Sequence, residues 1–162
     1  LGLSLQLNAQ GLKAFQGIAH RQELVAVFNG ITFINDSKGT NVEASLKALE
    51  AFDEPIVLIA GGKNKGLDFH DFMKVVRDKT KSLILLGMAA DEMEKAARDV
   101  GVRRIVRADS FEDGVKKAIA EAEPGDVVLL SPACTSWDMF KSYEERGECF
   151  KRLVRTHYSE PK

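Results

Sequence analysis

Two loops of this chain carry residue types that bind phosphate or carboxylate groups. Residues 35–41 read NDSKGTN and residues 61–66 read GGKNKG, and each loop directly follows an apolar run. The first loop brings a lysine and hydroxyl groups to the start of an expected helix, where free backbone N–H groups attract anions. The second combines two lysines with glycines, which let the backbone approach a ligand closely. Each loop alone also fits an ordinary turn, so it is their combination that predicts an anion site.

Neither loop completes a nucleotide-binding motif. The spacing of the two P-loop glycines is present from Gly61 to Gly66, but Leu67 and Asp68 stand where Lys and Ser or Thr are required. Lys63 interrupts the first Gly-x-Gly of a dinucleotide fingerprint. The sequence therefore predicts a site for a small, multiply anionic ligand rather than a self-contained ATP site.

A third loop, residues 131–138 (SPACTSWD), carries a cysteine, hydroxyl groups and a tryptophan. A catalytic cysteine needs a base within reach, and no motif ties any of the three histidines to Cys134. We therefore expect that Cys134 is not a nucleophile. Trp137 lies at a loop–helix junction, where an aromatic ring either packs in the core or walls a pocket. His20 is the one histidine with a fixed cation, Arg21, immediately beside it.

The composition limits the possible functions. The 162 residues suffice for one domain with a substantial core. The net charge is −1, with 23 basic and 24 acidic residues, which argues against binding to nucleic acid or to an anionic membrane surface. No apolar run approaches the length of a membrane-spanning helix, so membrane insertion is not expected. The two cysteines lack the spacing of metal ligands or of a disulfide framework, which predicts no metal site and a reducing, cytoplasmic location.

The elements that position these loops follow from the period of the apolar residues. Strands are expected at residues 24–28, 31–34, 56–60, 82–86, 104–107 and 127–130. Helices are expected at residues 41–52, 68–79, 89–100, 110–122 and 138–155, with Asp68 and Ser110 as N-caps. The Asn29-Gly30 dipeptide predicts a two-residue hairpin between the first two strands. This alternation predicts an α/β fold: a Rossmann-like, doubly wound, mostly parallel sheet with an antiparallel edge hairpin.

The fold class predicts where a ligand would bind. In open α/β sheets, ligands bind beyond the carboxyl ends of the strands. This rule selects four loops, at residues 35–41, 61–66, 87–90 and 131–138. Their cations and hydroxyl groups, together with Arg21, should therefore meet at one edge of the sheet, although no complete catalytic set is visible among them.

Four motifs, in order along the chain, carry a resemblance to a known family. They are His20-Arg21, NDSKGTN at residues 35–41, GGxxK at residues 61–65 and SPACxSxDxFxxYxxRG at residues 131–147. Together they closely resemble the C-terminal domain of the muramyl ligases, and NDSKGTN resembles the members that add D-glutamate. The resemblance covers nearly the whole chain. It implies that residues 1–19 end a linker from a central ATPase domain, that residues 20–158 form the amino-acid-binding domain, and that residues 159–162 are a tail.

The resemblance also implies a reaction. The full enzyme would be an ATP-dependent ligase that adds D-glutamate to UDP-N-acetylmuramoyl-L-alanine through an acyl phosphate. This step of peptidoglycan biosynthesis serves the cell wall, cell shape and cell division. A central domain in cis would bind most of the ATP and the Mg²⁺, so this chain alone should not catalyse the reaction. Two alternatives stay open: another ligase of the superfamily, of the folylpolyglutamate type, and a stand-alone anion-binding α/β module.

Roles for individual residues carry over by their positions in these motifs. The resemblance implies that Thr40 and Lys65 hold one carboxylate of D-glutamate. It implies that Ser136, with the backbone near Trp137 and Tyr143, holds the other. Family members often carry Leu and Phe in place of Trp137 and Tyr143, so the pocket wall should be bulkier here while backbone contacts stay possible.

The remaining roles concern the phosphoryl group and the nucleotide. The resemblance implies that Lys38 lies near the transferred phosphoryl group, where its charge would offset developing negative charge. It also implies that Arg21 and Asp36 contact the nucleotide across the domain interface, with His20 close by.

Overall fold

A computed structural model of the chain describes residues 17–159. The expected linker at residues 1–19 and the expected tail at residues 159–162 fall almost entirely outside this range. The described residues form six strands and five helices. The strands are β1 (Glu23–Phe28), β2 (Ile31–Asn35), β3 (Ile56–Gly61), β4 (Thr80–Leu86), β5 (Ile105–Arg107) and β6 (Val127–Leu130). The helices are α1 (Val42–Glu50), α2 (His70–Lys79), α3 (Ala90–Asp99), α4 (Phe111–Glu121) and α5 (Tyr143–Ser159).

The strands form one sheet in the order β1-β2-β6-β3-β4-β5. The pair β1–β2 is antiparallel, and the other neighbouring pairs are parallel. The hairpin between β1 and β2 turns at Asn29 and Gly30, whose φ angles are 51° and 78°, as the dipeptide predicts. The expected fold class, a mostly parallel α/β sheet with an antiparallel edge hairpin, is confirmed.

Alternate residues of a strand point to opposite sides of the sheet, so the apolar strands present side chains on both faces. Helices cover both of these faces. Leu58 on β3 packs into a core with α1, α2 and α3, whereas Val57 packs into a second core with α4 and α5. Every residue of β3 is buried, as expected for a strand covered on both faces. The sheet is therefore doubly wound.

The strand order gathers the predicted loops at one edge. Three loops follow neighbouring strands: the β2 loop (residues 36–41), the β3 loop (residues 62–69) and the β6 loop (residues 131–142). Strand β6 lies between β2 and β3, so the β6 loop lies between the β2 loop and the β3 loop. The short β4 loop (residues 87–89) lies beyond the β3 loop. All four follow carboxyl ends of parallel strands, as the sequence predicts.

Glycine is required where these loops approach one another. Gly62 and Gly87 have φ angles of 136° and 80°, in a region that other residues rarely adopt. A Cβ atom on Gly87 would stand 2.6 Å from Oδ2 of Asp138, and one on Gly62 would overlap the carbonyl oxygen of Thr135. The close contacts of the β3, β4 and β6 loops therefore depend on the absence of side chains at these two positions.

The last helix begins later than the sequence predicts. It starts at Tyr143 rather than at residue 138. The Phe140 N–H bonds to the Ser136 carbonyl at 2.7 Å and forms a turn, so the preceding residues belong to the β6 loop. Ser142 then acts as the cap, because its hydroxyl accepts the Glu145 N–H at 3.1 Å.

Two other predicted caps differ in outcome. Ser110 Oγ accepts the Asp113 N–H at 3.1 Å, which confirms the predicted cap of α4. Helix α2 begins at His70, so the expected start at Asp68 is wrong. Asp68 Oδ1 accepts the His70 N–H at 2.9 Å, only two residues on, which makes a local turn instead of a helix cap. None of the helices in the described part has the length and apolar character that a bilayer crossing needs.

Candidate functional site

Asp36 is buried at the carboxyl end of β2. Its carboxylate accepts the Ser131 hydroxyl at 2.7 Å and the Gln22 backbone N–H at 3.1 Å. Burial raises the pKa of Asp36, and these two bonds and the charge of Arg21 offset that rise only in part. Asp36 therefore joins the β2 loop, the β6 loop and the turn before β1 into one unit.

The turn before β1 presents Arg21 to solvent. The residues on either side of it, His20 and Gln22, have positive φ angles of 64° and 45°. Such a conformation costs a non-glycine residue about 1–3 kcal/mol, so the surroundings must hold it. The holding bonds come from the β2 loop, since Lys38 donates its N–H to the His20 carbonyl at 2.9 Å and Asp36 accepts the Gln22 N–H. The backbone on either side of Arg21 is thus held by the β2 loop.

The buried His20 ring has a defined hydrogen-bonding pattern. Asn35 Oδ1 accepts the Ser37 N–H at 3.1 Å, which orients the amide so that Nδ2 faces His20 Nδ1 at 2.9 Å. Because the amide nitrogen donates, Nδ1 is the acceptor of this bond. Nε2 lies 3.6 Å from Glu148 Oε1 on α5, beyond hydrogen-bond distance. The ring lies against Gly147, where a Cβ atom would overlap it, so His20 packs the turn before β1 against the last helix.

Arg146 projects from α5 into the protein and is 1% exposed. Its guanidinium donates to Ser37 Oγ at 2.9 Å, to the Ser37 carbonyl at 2.8 Å and to the Cys134 carbonyl at 3.2 Å. Ser37 Oγ in turn donates to the Tyr143 carbonyl at 2.8 Å. Burial lowers the pKa of Arg146 to about 10, which leaves it charged at neutral pH. One side chain thus ties the β2 loop, the β6 loop and α5 together.

Lys38 is half-buried in the β2 loop. Its ammonium nitrogen lies 5.9 Å from the centre of the Tyr143 ring, and that ring meets His20 edge-on at a centroid distance of 6.1 Å. Arg21 and Asp36 belong to the same neighbourhood through the turn before β1. The structure therefore gathers five of the predicted site residues in one group, the Lys38 cluster: His20, Arg21, Asp36, Lys38 and Tyr143.

A second group forms where the β3 and β6 loops meet. Lys63 and Thr135 exchange backbone N–H···O bonds of 2.9 and 3.2 Å in an isolated antiparallel bridge. Farther out, Lys65 Nζ lies 4.6 Å from the centre of the exposed Trp137 ring. Ser136, next to the bridge, is 2% exposed. We call these three predicted residues, Lys65, Ser136 and Trp137, the Lys65 cluster.

Thr40 lies apart from its expected partner. It is half-buried in the β2 loop, with its N–H bonded to the Lys38 carbonyl at 2.8 Å. Lys65 is on the β3 loop, and the β6 loop stands between the two in the strand order. Among residues 17–159, no described contact joins their side chains, so a shared role for Thr40 and Lys65 stays a prediction. Arg146, bonded to both the β2 and the β6 loop, connects the two neighbourhoods.

Cys134 has the properties of a core residue. It is 1% exposed, and burial raises the pKa of its thiol to about 12, so the nucleophilic thiolate is scarcely populated at neutral pH. This agrees with the prediction that Cys134 is not a nucleophile. Both cysteines are free thiols. Within the described part of the chain, no three His, Cys, Asp or Glu side chains come together as a metal site.

Arg146 and Asp138 belong to the motif at residues 131–147, but the sequence alone predicts no role for either of them. Asp138 Oδ2 accepts the Met88 N–H at 2.9 Å and so ties the β6 loop to the β4 loop. Its other oxygen, Oδ1, is buried with no hydrogen-bond partner among the described residues. For Arg146, the residue types give no signal of a role, because its partners are a serine and two backbone carbonyls. The adjacent Gly147 marks a close approach of the helix to His20, since a Cβ atom there would overlap the His20 ring.

Comparisons with known proteins bear on the family. Residues 20–134 match the family model described as "Mur ligase, glutamate ligase domain". The chain is 70% identical over 161 residues to the UDP-N-acetylmuramoylalanine–D-glutamate ligase of Desulfitobacterium hafniense (strain DSM 10664 / DCB-2), covering 99% of this chain and 36% of that protein. The chain thus spans about a third of the length of the curated relatives it matches.

Solved structures agree in fold. The murein peptide ligase of Psychrobacter arcticus superposes with a TM-score of 0.64 at 16% identity, covering 99% of this chain and 34% of that one. FolC of E. coli, in complex with ADP, superposes with a TM-score of 0.59 at 17% identity, covering 99% and 37%. At these identities the likeness concerns the fold alone.

Proposed function

The chain belongs to the Mur ligase family as a glutamate ligase domain, and from this we propose that it is the amino-acid-binding domain of an ATP-dependent, cytoplasmic ligase that adds D-glutamate to UDP-N-acetylmuramoyl-L-alanine. ATP and Mg²⁺ would bind mainly to a central domain of the same polypeptide. In the proposed reaction, the carboxylate of the nucleotide-sugar substrate is phosphorylated, the amine of D-glutamate attacks the acyl phosphate, and phosphate leaves as the amide forms. This reaction would serve peptidoglycan synthesis.

One observation carries the proposal: two cationic clusters stand at the same edge of the sheet. D-glutamate brings two carboxylates, and the transferred group is a phosphoryl group, so three anionic groups would have to be held there. The Lys38 cluster and the Lys65 cluster supply separate cations, tied to each other through Arg146. The 70% identical relative is named for D-glutamate, which supports this amino acid over the substrates of more distant ligases.

The Lys65 cluster is proposed to hold the amino acid. Lys65 and Thr40 would hold one carboxylate, and Ser136 with the backbone near Trp137 and Tyr143 would hold the other. Lys65 suits this role because its ammonium is exposed, and Tyr143 is the first residue of α5, where helix N–H groups lack partners within the helix. A carboxylate at such a helix start is favoured by the helix dipole.

The Lys38 cluster is proposed to face the phosphoryl group and the nucleotide. Lys38 would stabilise the charge that develops as phosphate leaves. Of the nucleotide-side residues, Arg21 is exposed whereas His20 and Asp36 are buried. We therefore propose that Arg21 makes the outermost contact and that His20 and Asp36 hold its turn in place and close the inner side of the site.

The test of the reaction uses the full-length enzyme. Phosphate release in the presence of ATP, Mg²⁺ and UDP-N-acetylmuramoyl-L-alanine should depend on D-glutamate and not on other amino acids. Release that depends on L-glutamate with a folate acceptor would establish the folylpolyglutamate alternative instead. The 162-residue chain alone should form no product. Turnover by that chain would contradict the proposal that ATP and Mg²⁺ bind mainly to a central domain.

Lys65→Ala tests the amino-acid site within that enzyme. Loss of a charge-assisted bond to a carboxylate costs about 1.5–3 kcal/mol, which corresponds to a rise of about 10- to 150-fold in the KM for D-glutamate. Lys63→Ala is the matched control, because Lys63 is an exposed lysine on the same loop whose described bonds to Thr135 go through its backbone. An unchanged KM in the Lys65 variant would remove this residue from the site.

A further inference from the structure

Trp137 is a large apolar side chain that the fold leaves in solvent. It is the only tryptophan of the chain, and 61% of its surface is exposed. It makes one prominent contact: Lys65 Nζ lies 4.6 Å from the centre of its ring, well within the roughly 6 Å range of cation–π attraction. The indole and the ammonium are both exposed, so the pair stands at the surface where a ligand could reach the lysine.

The backbone beside this pair is anchored on both sides. The bridge between Lys63 and Thr135 fixes the two loops two residues before Lys65 and two residues before Trp137. Directly after Trp137, the Asp138 carboxylate holds the Met88 N–H at 2.9 Å. The contact between indole and ammonium therefore joins two loops whose positions are already set, and does not itself set them.

Such a contact changes what it costs Lys65 to bind an anion. A lysine side chain loses rotamer freedom when it is held in one position, and this loss weakens the binding of any ligand that has to order it. The ring attracts the ammonium through its face and accepts no conventional hydrogen bond, so N–H donors on the far side stay available. We propose that the Trp137 indole is a positioning group: it holds the Lys65 ammonium over the amino-acid pocket before the substrate arrives and so raises the affinity for the substrate carboxylate. This inference rests on the proposed function of Lys65.

The contact itself is tested on the 162-residue chain without any substrate. Because Trp137 is the only tryptophan, its fluorescence reports on this one site. Lys65→Met, which removes the ammonium and keeps the length of the side chain, should change the intensity or the wavelength of the emission. Lys63→Met, on the same loop, should not. An emission spectrum that is identical in the wild type and the Lys65 variant would overturn the proposal, whatever the reaction of the full enzyme.

The consequence for binding is tested in the full-length ligase. A cation–π contact at an exposed site is worth about a two- to fivefold change in an equilibrium constant. Trp137→Leu should therefore raise the KM for D-glutamate about two- to fivefold, with a smaller effect on kcat, and Trp137→Phe should recover part of the loss. In a Lys65→Met background, Trp137→Leu should have no further effect on KM.

The outcomes separate the two hypotheses. If Lys65→Met alone leaves the KM unchanged, the proposed amino-acid site fails, and the positioning role fails with it. If Lys65→Met raises the KM but Trp137→Leu does not, or acts equally in both backgrounds, the site stands and the indole merely covers the surface. A lowered KM in Trp137→Leu would show that the indole competes with the substrate, which also overturns the proposal.

Discussion

Replacing Arg146 by Met should destabilise the domain although no contact of the apolar core is lost. The guanidinium is buried and serves two buried backbone carbonyls, those of Ser37 and Cys134, at 2.8 and 3.2 Å. Each carbonyl left without its donor costs about 1–3 kcal/mol, or about 2–6 kcal/mol for the pair. Relief from burying a charge acts in the opposite direction. We expect a net loss of about 3 kcal/mol in the free energy of unfolding.

The assay is urea denaturation of the 162-residue chain followed by circular dichroism, with the change read at an unchanged m-value. Arg155→Met is the matched control, since Arg155 lies exposed on the same helix and its replacement should change the stability by less than about 0.5 kcal/mol. Arg146→Lys keeps the charge, but a single ammonium cannot span both loops as the planar fork does, so most of the loss should persist. If the Met variant were as stable as the wild type, the clamp would have no energetic role and the reasoning would be refuted.

Three further predictions concern buried groups of the same edge. The Cys134 thiol, with a pKa of about 12, is ionised at pH 8 in only about one molecule in ten thousand. Iodoacetamide should therefore label the half-buried Cys149 well before Cys134. Equal labelling of the two cysteines in mass spectrometry would contradict this prediction. Gly62→Ala should lower the free energy of unfolding by about 3 kcal/mol in urea denaturation, because its Cβ atom would overlap a backbone oxygen. Gly66→Ala should lower it by only about 1 kcal/mol, since this position has open space and only its positive φ opposes a side chain. Similar losses in the two variants would contradict the packing argument. Burial raises the folded-state pKa of Asp36 above its unfolded value, so its contribution to stability is full below the unfolded pKa and is lost as the pH rises through the folded pKa. The stability of Asp36→Asn relative to the wild type should therefore increase from about pH 4 to pH 7. A difference that stays constant over this range would rule out the titration.

The sheet could be predicted because its signals are local. Asn29 and Gly30 specify the hairpin through their own φ preferences, and the apolar run at residues 56–60 specifies a strand buried on both faces. The start of α5 could not be predicted in this way. Residue 138 is a good helix cap by type, but its carboxylate is engaged by the β4 loop, which is 50 residues away in the chain. A distant partner decided the boundary, and no periodicity contains that information.

The sequence predicts where the residues of the candidate site lie, but not which contacts they make with one another. Lys38 and Lys65 could be placed at one edge by the rule for parallel sheets, and both lie there. The role of Arg146 could not be found, because a charged residue on a helix is ordinarily solvated and its partners here are backbone carbonyls, which leave no trace in residue types. The contact of Lys65 with Trp137 depends on side-chain directions of two loops, which only the three-dimensional structure supplies.

The position of β6 between β2 and β3 has a consequence for the order in which the domain is made. On the ribosome, β2, β3, β4 and β5 emerge before the strand that separates the first two of them. Until β6 emerges, β2 and β3 each carry an edge without its final neighbour, and exposed edges of this kind invite wrong pairing. The clamp from Arg146 comes later still. The centre of the sheet and the edge that bears both cationic clusters are therefore completed last, by a single stretch of chain that inserts β6 and then closes α5 over it.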